Sequence, residues 1–337
     1  MQNYSIVNKF LHRFYLSNYF ISKSTLELER ELYEKKINNL ELNQVVFISG
    51  LARSGTTYFM REIFETDQYA SLQYNNMPFL FLPNLWKNRT SEMLVERAHK
   101  DGMKVNSSSP EEFDEYFWKA YLNDSYLGND TLELHNPEKK VIDIYLDYIK
   151  LISISKKKSR YITKNNNNLL RLSSLQQIPN SKFFFLVRKP LDHASSLLKL
   201  HQKFSRDHKS DSFTLEYFNF LGHHEFGLNQ KVFNLEEEKQ KNLSSLDKST
   251  LDYWLLVWLQ YYTYLLNKTD DSIEIILFED LILNRGRVFE FVNRTLDINV
   301  NNKESIFSPP KYNSFKSETL TECEKVYGKL KKKIKYL

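Results

Sequence analysis

Hydrophobic positions along the chain alternate between two spacings. Residues 45–48, VVFI, are a short apolar run rich in β-branched residues that stops just before Gly50, the pattern of a buried strand. After the intervening loop, Tyr58, Phe59, Ile63 and Phe64 recur at helical spacing, so a strand–loop–helix unit is expected. RYITK (160–164) reads as a short strand ending at Lys164, and SKFFFLVRKP (181–190) as a buried strand closed by Arg188 and Pro190, with a helix through LDHASSLLKLHQKF. IEIILFEDLI (273–282) predicts a strand running into a helix start. Helices are also predicted over 23–37, 136–152, 251–266 and 315–333. SSSPEEFDEYFWKAYL (107–122) carries the signs of a helix start: Ser109 as N-cap, Pro110 at the first position, Glu111 and Glu112 in the first turn. The Pro-containing stretch 71–86 reads as packed and irregular, and 205–247 as a polar insertion. Strand alternating with helix predicts an α/β fold with a central, mainly parallel sheet and helices on both faces.

Composition narrows the class. The chain has 337 residues, 41% of them hydrophobic, which is enough for one large domain. The expected layout is one domain over 1–337, with a core at about 44–284, a helical extension at 1–40 and a variable polar region at about 205–250. Only 8 Gly and 8 Pro argue against a loop-rich chain. A net charge of +5, much of it in Lys156–Lys158 and Lys331–Lys333, is too mild for a dedicated nucleic-acid binder. The single cysteine, Cys323, excludes a disulfide within the chain and a Cys-based metal site. Lys9, His12 and Arg13 interrupt the N-terminal apolar residues, and no run approaches the ~20 apolar residues of a membrane helix, so a cytoplasmic protein is expected.

The candidate chemistry starts in the loop, GLARSGTT (50–57). A glycine-rich loop between a strand end and a helix start presents backbone N–H groups and the helix dipole to an anion. Ser54, Thr56 and Thr57 add hydroxyl donors, and Arg53 adds a fixed bidentate charge. Gly50 and Gly55 allow close backbone approach to a ligand. The phosphate loop of nucleotide triphosphatases requires Lys and then Ser or Thr after its second glycine; here Thr56 and Thr57 stand there. Ligands of parallel sheets bind at the carboxyl ends of strands, so this loop and Arg188 are expected to face one pocket.

These segments resemble the sulfotransferase family that uses 3′-phosphoadenosine 5′-phosphosulfate (PAPS) as donor, whose fold is P-loop-like. GLARSGTT is similar to its 5′-phosphosulfate loop, and FFFLVRKPLDHASSLLK to its 3′-phosphate motif, an apolar strand, an arginine and a serine eight residues later: Arg188 and Ser196. LFEDLI resembles a late Tyr-Glu-Asp-Leu segment with Phe278 for the tyrosine, and Tyr161–Asn165 a Lys-containing segment of bacterial and Golgi members. The resemblance runs from about 44 to 284 and fades over 205–250. It implies that Arg53, Ser54, Gly55, Thr56 and Thr57 hold the 5′-phosphosulfate, that Arg53 stabilises the leaving phosphate, and that Arg188 and Ser196 hold the 3′-phosphate. It implies in-line transfer without a metal to a hydroxyl acceptor, a carbohydrate or small metabolite, with 3′,5′-bisphosphoadenosine as product. The Arg-Lys-Gly motif of the cytosolic phenol and steroid branch is absent; Lys311 and Lys316 stand near the C-terminus without matching it, so the bacterial and Golgi-like groups fit better.

A hydroxyl acceptor needs a general base. Glu111, Glu112, Glu115 and His99 lie between the two nucleotide motifs; Glu111 ranks first and His99 second, although first-turn glutamates also serve a helix dipole. Two other functions stay open: a P-loop kinase or triphosphatase, disfavoured by the missing Lys-Ser/Thr, and a non-catalytic nucleotide binder, disfavoured by an intact RSGTT.

Overall fold

A computed structural model of the chain describes residues 5–86, 95–96, 104–235, 243, 246–301 and 315–336. Its central sheet has four strands: β1 (Gln44–Ser49), β2 (Arg160–Lys164), β3 (Ser181–Val187) and β4 (Ile273–Leu277). They lie in the order β2–β1–β3–β4 and every neighbouring pair is parallel. Each is one of the four apolar runs read from the sequence.

Successive side chains of a strand point to opposite faces, so a continuous apolar run suits a sheet covered on both sides. Val45 and Phe47 join Phe183, Phe185, Ile273 and Ile275 in one core; Val46 and Ile48 join Phe184, Leu186 and Ile276 in another. Helices Tyr19–Asn39, Lys139–Lys156, Pro190–Ser210 and Leu251–Lys268 supply side chains to the first core, and Thr56–Phe64 and Arg285–Leu296 to the second. Phe59 meets Phe184 and Phe289 at ring-centroid distances of 5.4 and 6.0 Å, tying the helix after the loop to the sheet. Truncating a buried Phe such as Phe184 to Ala costs about 3–5 kcal/mol in a core of this kind.

The expected helix start in 107–122 is not found; the helix is Glu115–Leu122. The preceding backbone is held across the chain instead. The Ser109 hydroxyl bonds back to Asn106, accepting from its N–H and donating to Oδ1, both at 3.0 Å, and Pro110 bridges Gln73. The Glu111 N–H donates to the Leu72 carbonyl. Glu111 and Glu112 are therefore loop residues, drawn inward, and not first-turn residues.

The polar region also carries more order than its composition suggests. Helix Pro190–Ser210 extends into it, and helix Ser212–Leu221 follows, capped by the Asp211 carboxylate and burying Phe213, Tyr217, Phe218 and Leu221 at helical spacing. Val232–Asn234 pairs in parallel with Thr131–Glu133. In the N-terminal extension two helices form, Ile6–Leu16 and Tyr19–Asn39, capped by Ser5 and Asn18. Among the described residues, no helix is long and apolar enough to cross a membrane.

The connection after β1 runs to β2 on one side and that after β3 runs to β4 on the other, so the two part at the carboxyl ends, the place where open parallel sheets bind ligands. The segments after β1, β2 and β3, beginning at Gly50, Asn165 and Arg188, all emerge there.

Candidate active site at the carboxyl ends of the central strands

The loop after β1 is built around its glycines. Gly50 has φ +143°, and a Cβ there would sit 2.6 Å from the Leu186 carbonyl oxygen. Gly55 has φ +96° and caps helix Thr56–Phe64; its Cβ would sit 2.5 Å from Phe278 Cδ2. Arg53 occupies the left-handed region at φ +73°, which costs an L-residue on the order of 1–2 kcal/mol. Thr56 and Thr57 open the helix and are buried. Ser54 Oγ is buried and finds no partner with hydrogen-bond geometry, the nearby Tyr262 hydroxyl donating instead to the Leu186 carbonyl at 2.8 Å. A strained loop ending on a helix N-terminus, with a buried hydroxyl left unsatisfied, fits an anion.

Arg188 follows β3 and reaches this loop. Its Nη1 donates to the Arg53 carbonyl at 3.2 Å, and its guanidinium lies 4.6 Å from the centre of the Phe278 ring. Arg53 Nε donates to Ser196 Oγ at 3.4 Å, so Arg53, Arg188 and Ser196, far apart in sequence, meet. His193, on the same helix as Ser196, is fully buried and bonds through Nε2 to the Ala52 carbonyl at 2.7 Å. A carbonyl only accepts, so Nε2 carries the proton. Burial, with the charges of Arg188 and Arg53, lowers this imidazole to about 3 and keeps it neutral. Trp258 Nε1 donates to the Arg188 carbonyl at 3.1 Å, fixing the strand end.

Beside the loop, at the end of β2, lies a second polar cluster. Lys164 pairs with Ile48 in the β1–β2 register, and the Ser49 hydroxyl donates to the Asn165 carbonyl at 2.9 Å. Lys164 Nζ is ion-paired with Glu112, whose other oxygen accepts from the Asn166 N–H at 2.6 Å. Asn166 Nδ2 bridges Glu112 Oε2 at 3.2 Å and Glu225 Oε1 at 2.7 Å, and His223 Nδ1 lies 3.8 Å from Glu225 Oε1. Burial pushes the Glu112 carboxyl up; Glu225 adds to this and Lys164 opposes it, leaving it at about 7. Burial acts upward on Glu225 too, but His223, Lys164 and Asn166 hold it below the usual carboxylate range. For His223, burial is outweighed by Glu225, so the imidazole is raised. Glu112, His223 and Glu225 offer ligand atoms within 4.8 Å of one another. The Lys164 ammonium already occupies Glu112, and a divalent ion would have to displace it, so the cluster is built around a fixed organic cation.

The site residues expected from sequence fall as follows. Arg53, Ser54, Gly55, Thr56, Thr57, Arg188 and Ser196 come together around one loop. Glu111 is buried but turned to Tyr74, whose hydroxyl donates to its Oε2 at 3.0 Å; its neighbour Glu112 holds the position at the strand end. Glu115 is committed to the fully buried Arg171, which binds both its oxygens at 2.9 Å. Burial pushes this carboxyl up, and Arg171 outweighs it to hold the carboxyl below the usual range. His99 and Lys311 lie outside the described residues. His223, Glu225 and Asn166 escaped sequence reasoning: the two acidic-site partners stand in GHHEFG, inside the region read as an insertion, and Asn166 in an unpunctuated run of asparagines.

No protein-family model and no curated protein matches the chain. Among solved structures it is similar to the sulfotransferase STF1 from Mycobacterium tuberculosis H37Rv, at TM-score 0.52 and 10% identity over 88% of this chain and 79% of that one. It also aligns with the sulfotransferase STF9 from Mycobacterium avium, at TM-score 0.49 and 11% identity over 90% of this chain and 72% of that one. Identities this low speak to architecture alone, and the first pair carries that argument: this chain shares with STF1 a mixed α/β fold whose central parallel sheet is flanked by helices.

Proposed function

We propose that the chain is a sulfotransferase that moves a sulfuryl group from PAPS to a hydroxyl acceptor and leaves 3′,5′-bisphosphoadenosine. The observation that carries this reading is the meeting of Arg53, Arg188 and Ser196 at the strand ends, with the unsatisfied Ser54 hydroxyl beside them. A ligand with one phosphate ester at each of two sugar positions uses two separate cationic sites. A triphosphate with magnesium uses a lysine and a hydroxyl after the second glycine, where this chain has Thr56 and Thr57.

In this reading the loop N–H groups of residues 54–57 and Arg53 hold the 5′-phosphosulfate, and Arg188 and Ser196 hold the 3′-phosphate. Arg53 stabilises the charge that grows on the 5′-phosphate as its bond to sulfur breaks. Glu112 takes the acceptor's hydroxyl proton as the new oxygen–sulfur bond forms, and Lys164 beside it orients the carboxylate and steadies the developing charge. Glu112 takes the role first assigned to Glu111, because it alone of the two lies against Lys164 at the strand end. A carboxyl raised to about 7 is matched to accepting a proton near neutral pH. The proposed acceptor is a carbohydrate or other small hydroxyl compound, in keeping with the polar lining of Glu112, Asn166, His223 and Glu225, and the proposed compartment is the cytoplasm.

The test is mass spectrometry of a panel of sugar and small-molecule alcohols incubated with the protein and PAPS. The expected result is an acceptor that gains one sulfuryl group, with release of 3′,5′-bisphosphoadenosine that Arg53→Ala abolishes. Magnesium-dependent hydrolysis of ATP with no sulfuryl transfer to any acceptor would overturn the proposal.

A further inference from the structure

The cluster around Glu112 holds two carboxylates where a general base needs one. Three separate segments build it: the loop before helix Glu115–Leu122 gives Glu112, the end of β2 gives Lys164 and Asn166, and the turn after helix Ser212–Leu221 gives His223 and Glu225. One amide group, Asn166 Nδ2, reaches both carboxylates, at 3.2 and 2.7 Å. The His223–Glu225 side chains keep 18% and 12% exposure, whereas Glu112 keeps 3%, so the outer pair faces solvent and the inner carboxylate does not.

We propose that Glu225, held by His223 and tied to Glu112 through Asn166, is a positioning residue whose negative charge fixes the pH range in which Glu112 accepts the acceptor's proton. This deepens the reading of Glu112 as the base and rests on it. The charges facing Glu112 are Lys164 from β2 and Glu225 and His223 from the turn; the Tyr261 hydroxyl, on helix Leu251–Lys268, approaches Asn166 from the far side at 3.3 Å to its carbonyl. Lys164 and His223 favour the ionised form of Glu112 and Glu225 opposes it. Without Glu225, buried His223 would lose the partner that keeps it charged, and Lys164 alone would face a single carboxylate. Because Glu225 acts on Glu112 more strongly than His223 does, Glu112 would stay ionised further into acid and be a poorer proton acceptor. With Glu225 present, Glu112 binds its proton firmly enough to accept it near neutral pH. The bridge through Asn166 holds the two oxygens close, so the effect is local and specific to this pair.

The experiment is a carboxyl-carbon NMR titration of full-length protein labelled at glutamate, with the Glu112 resonance assigned by its absence from E112Q. In Glu225→Gln the Glu112 midpoint is expected to move down by up to about one pH unit, the lost repulsion being partly offset because His223 loses its charge with its partner. Glu225→Asp, which restores the charge, is expected to return it toward wild type, and the remote Glu216→Gln to leave it unmoved. Should Glu225→Gln fail to fold, His223→Gln removes a positive charge from the same group and moves the midpoint up. A midpoint that stays put in Glu225→Gln, or in His223→Gln where that variant replaces it, or that moves equally in Glu216→Gln, overturns the proposal. Sulfuryl transfer by E112Q is a separate readout: if E112Q still turns over while Glu225→Gln moves the midpoint, the base assignment fails and the coupling stands.

Discussion

Replacing Arg188 by Met removes the guanidinium charge while keeping an unbranched side chain over the Phe278 ring, 4.6 Å from the present guanidinium. Two losses follow, and they separate by ligand. The bond from Nη1 to the Arg53 carbonyl, 3.2 Å long, supports the loop itself; with a charged donor at this length it is worth about 1.5 kcal/mol, or roughly tenfold in affinity for any ligand held by the loop. The bond to a 3′-phosphate is charge-assisted and worth about 1.5–3 kcal/mol, a further 10- to 100-fold or so, seen only with a ligand carrying that group. The Trp258 bond goes to the Arg188 backbone carbonyl and survives the substitution, so the strand end stays in place. Calorimetric titration of wild type and Arg188→Met with 3′,5′-bisphosphoadenosine and with adenosine 5′-phosphate measures both. A larger loss for the bisphosphate is expected. Equal losses for the two ligands would mean that Arg188 only braces the loop, and the 3′-phosphate assignment would be refuted.

Other outcomes follow from the same geometry. Glu112 must be ionised to accept a proton, and its carboxyl is raised to about 7, so kcat/KM should fall tenfold per pH unit below about pH 7 and level off above it; an acid limb centred in the ordinary carboxylate range near pH 4 would contradict this. Gly55→Ala forces a Cβ to within 2.5 Å of Phe278 Cδ2 at φ +96°, displacing the ring under Arg188, and should weaken bisphosphate binding at least tenfold by calorimetry. Unchanged affinity would show that the ring has room to move. Glu115→Gln leaves the Arg171 guanidinium buried without its carboxylate and should cost about 3–5 kcal/mol, read as a Tm lower by roughly 10 °C, with nucleotide affinity of the folded protein unchanged.

The sheet was legible because strands covered on both sides leave uninterrupted apolar runs such as FFFLV, and because the glycine-rich loop after β1 announces itself by spacing. What misled was local chemistry with two outlets. Ser109, Pro110 and the following glutamates suit a helix start, yet here the backbone of 109–111 bonds to Asn106 and Leu72, which no local pattern reveals. The outer half of the acid cluster was hidden for another reason. His223 and Glu225 read as ordinary polar residues until the turn after Leu221 brings them to Asn166, and that approach depends on the burial of Phe213, Tyr217 and Phe218 in a stretch judged by its polar average. The approach of Arg188 to the glycine-rich loop, by contrast, was expected from two strands ending on the same side of the sheet, and the register of β1 with β3 brings those ends together; the bond from Arg53 to Ser196 was not foreseen.

Most direct for the central claim is calorimetric titration of the full chain with 3′,5′-bisphosphoadenosine and, separately, with ATP in the presence and absence of magnesium. Tighter binding of the bisphosphate, indifferent to magnesium, is the expected result. Tighter binding of ATP that requires magnesium would contradict a loop whose cation is Arg53 and whose second anion site is Arg188 with Ser196.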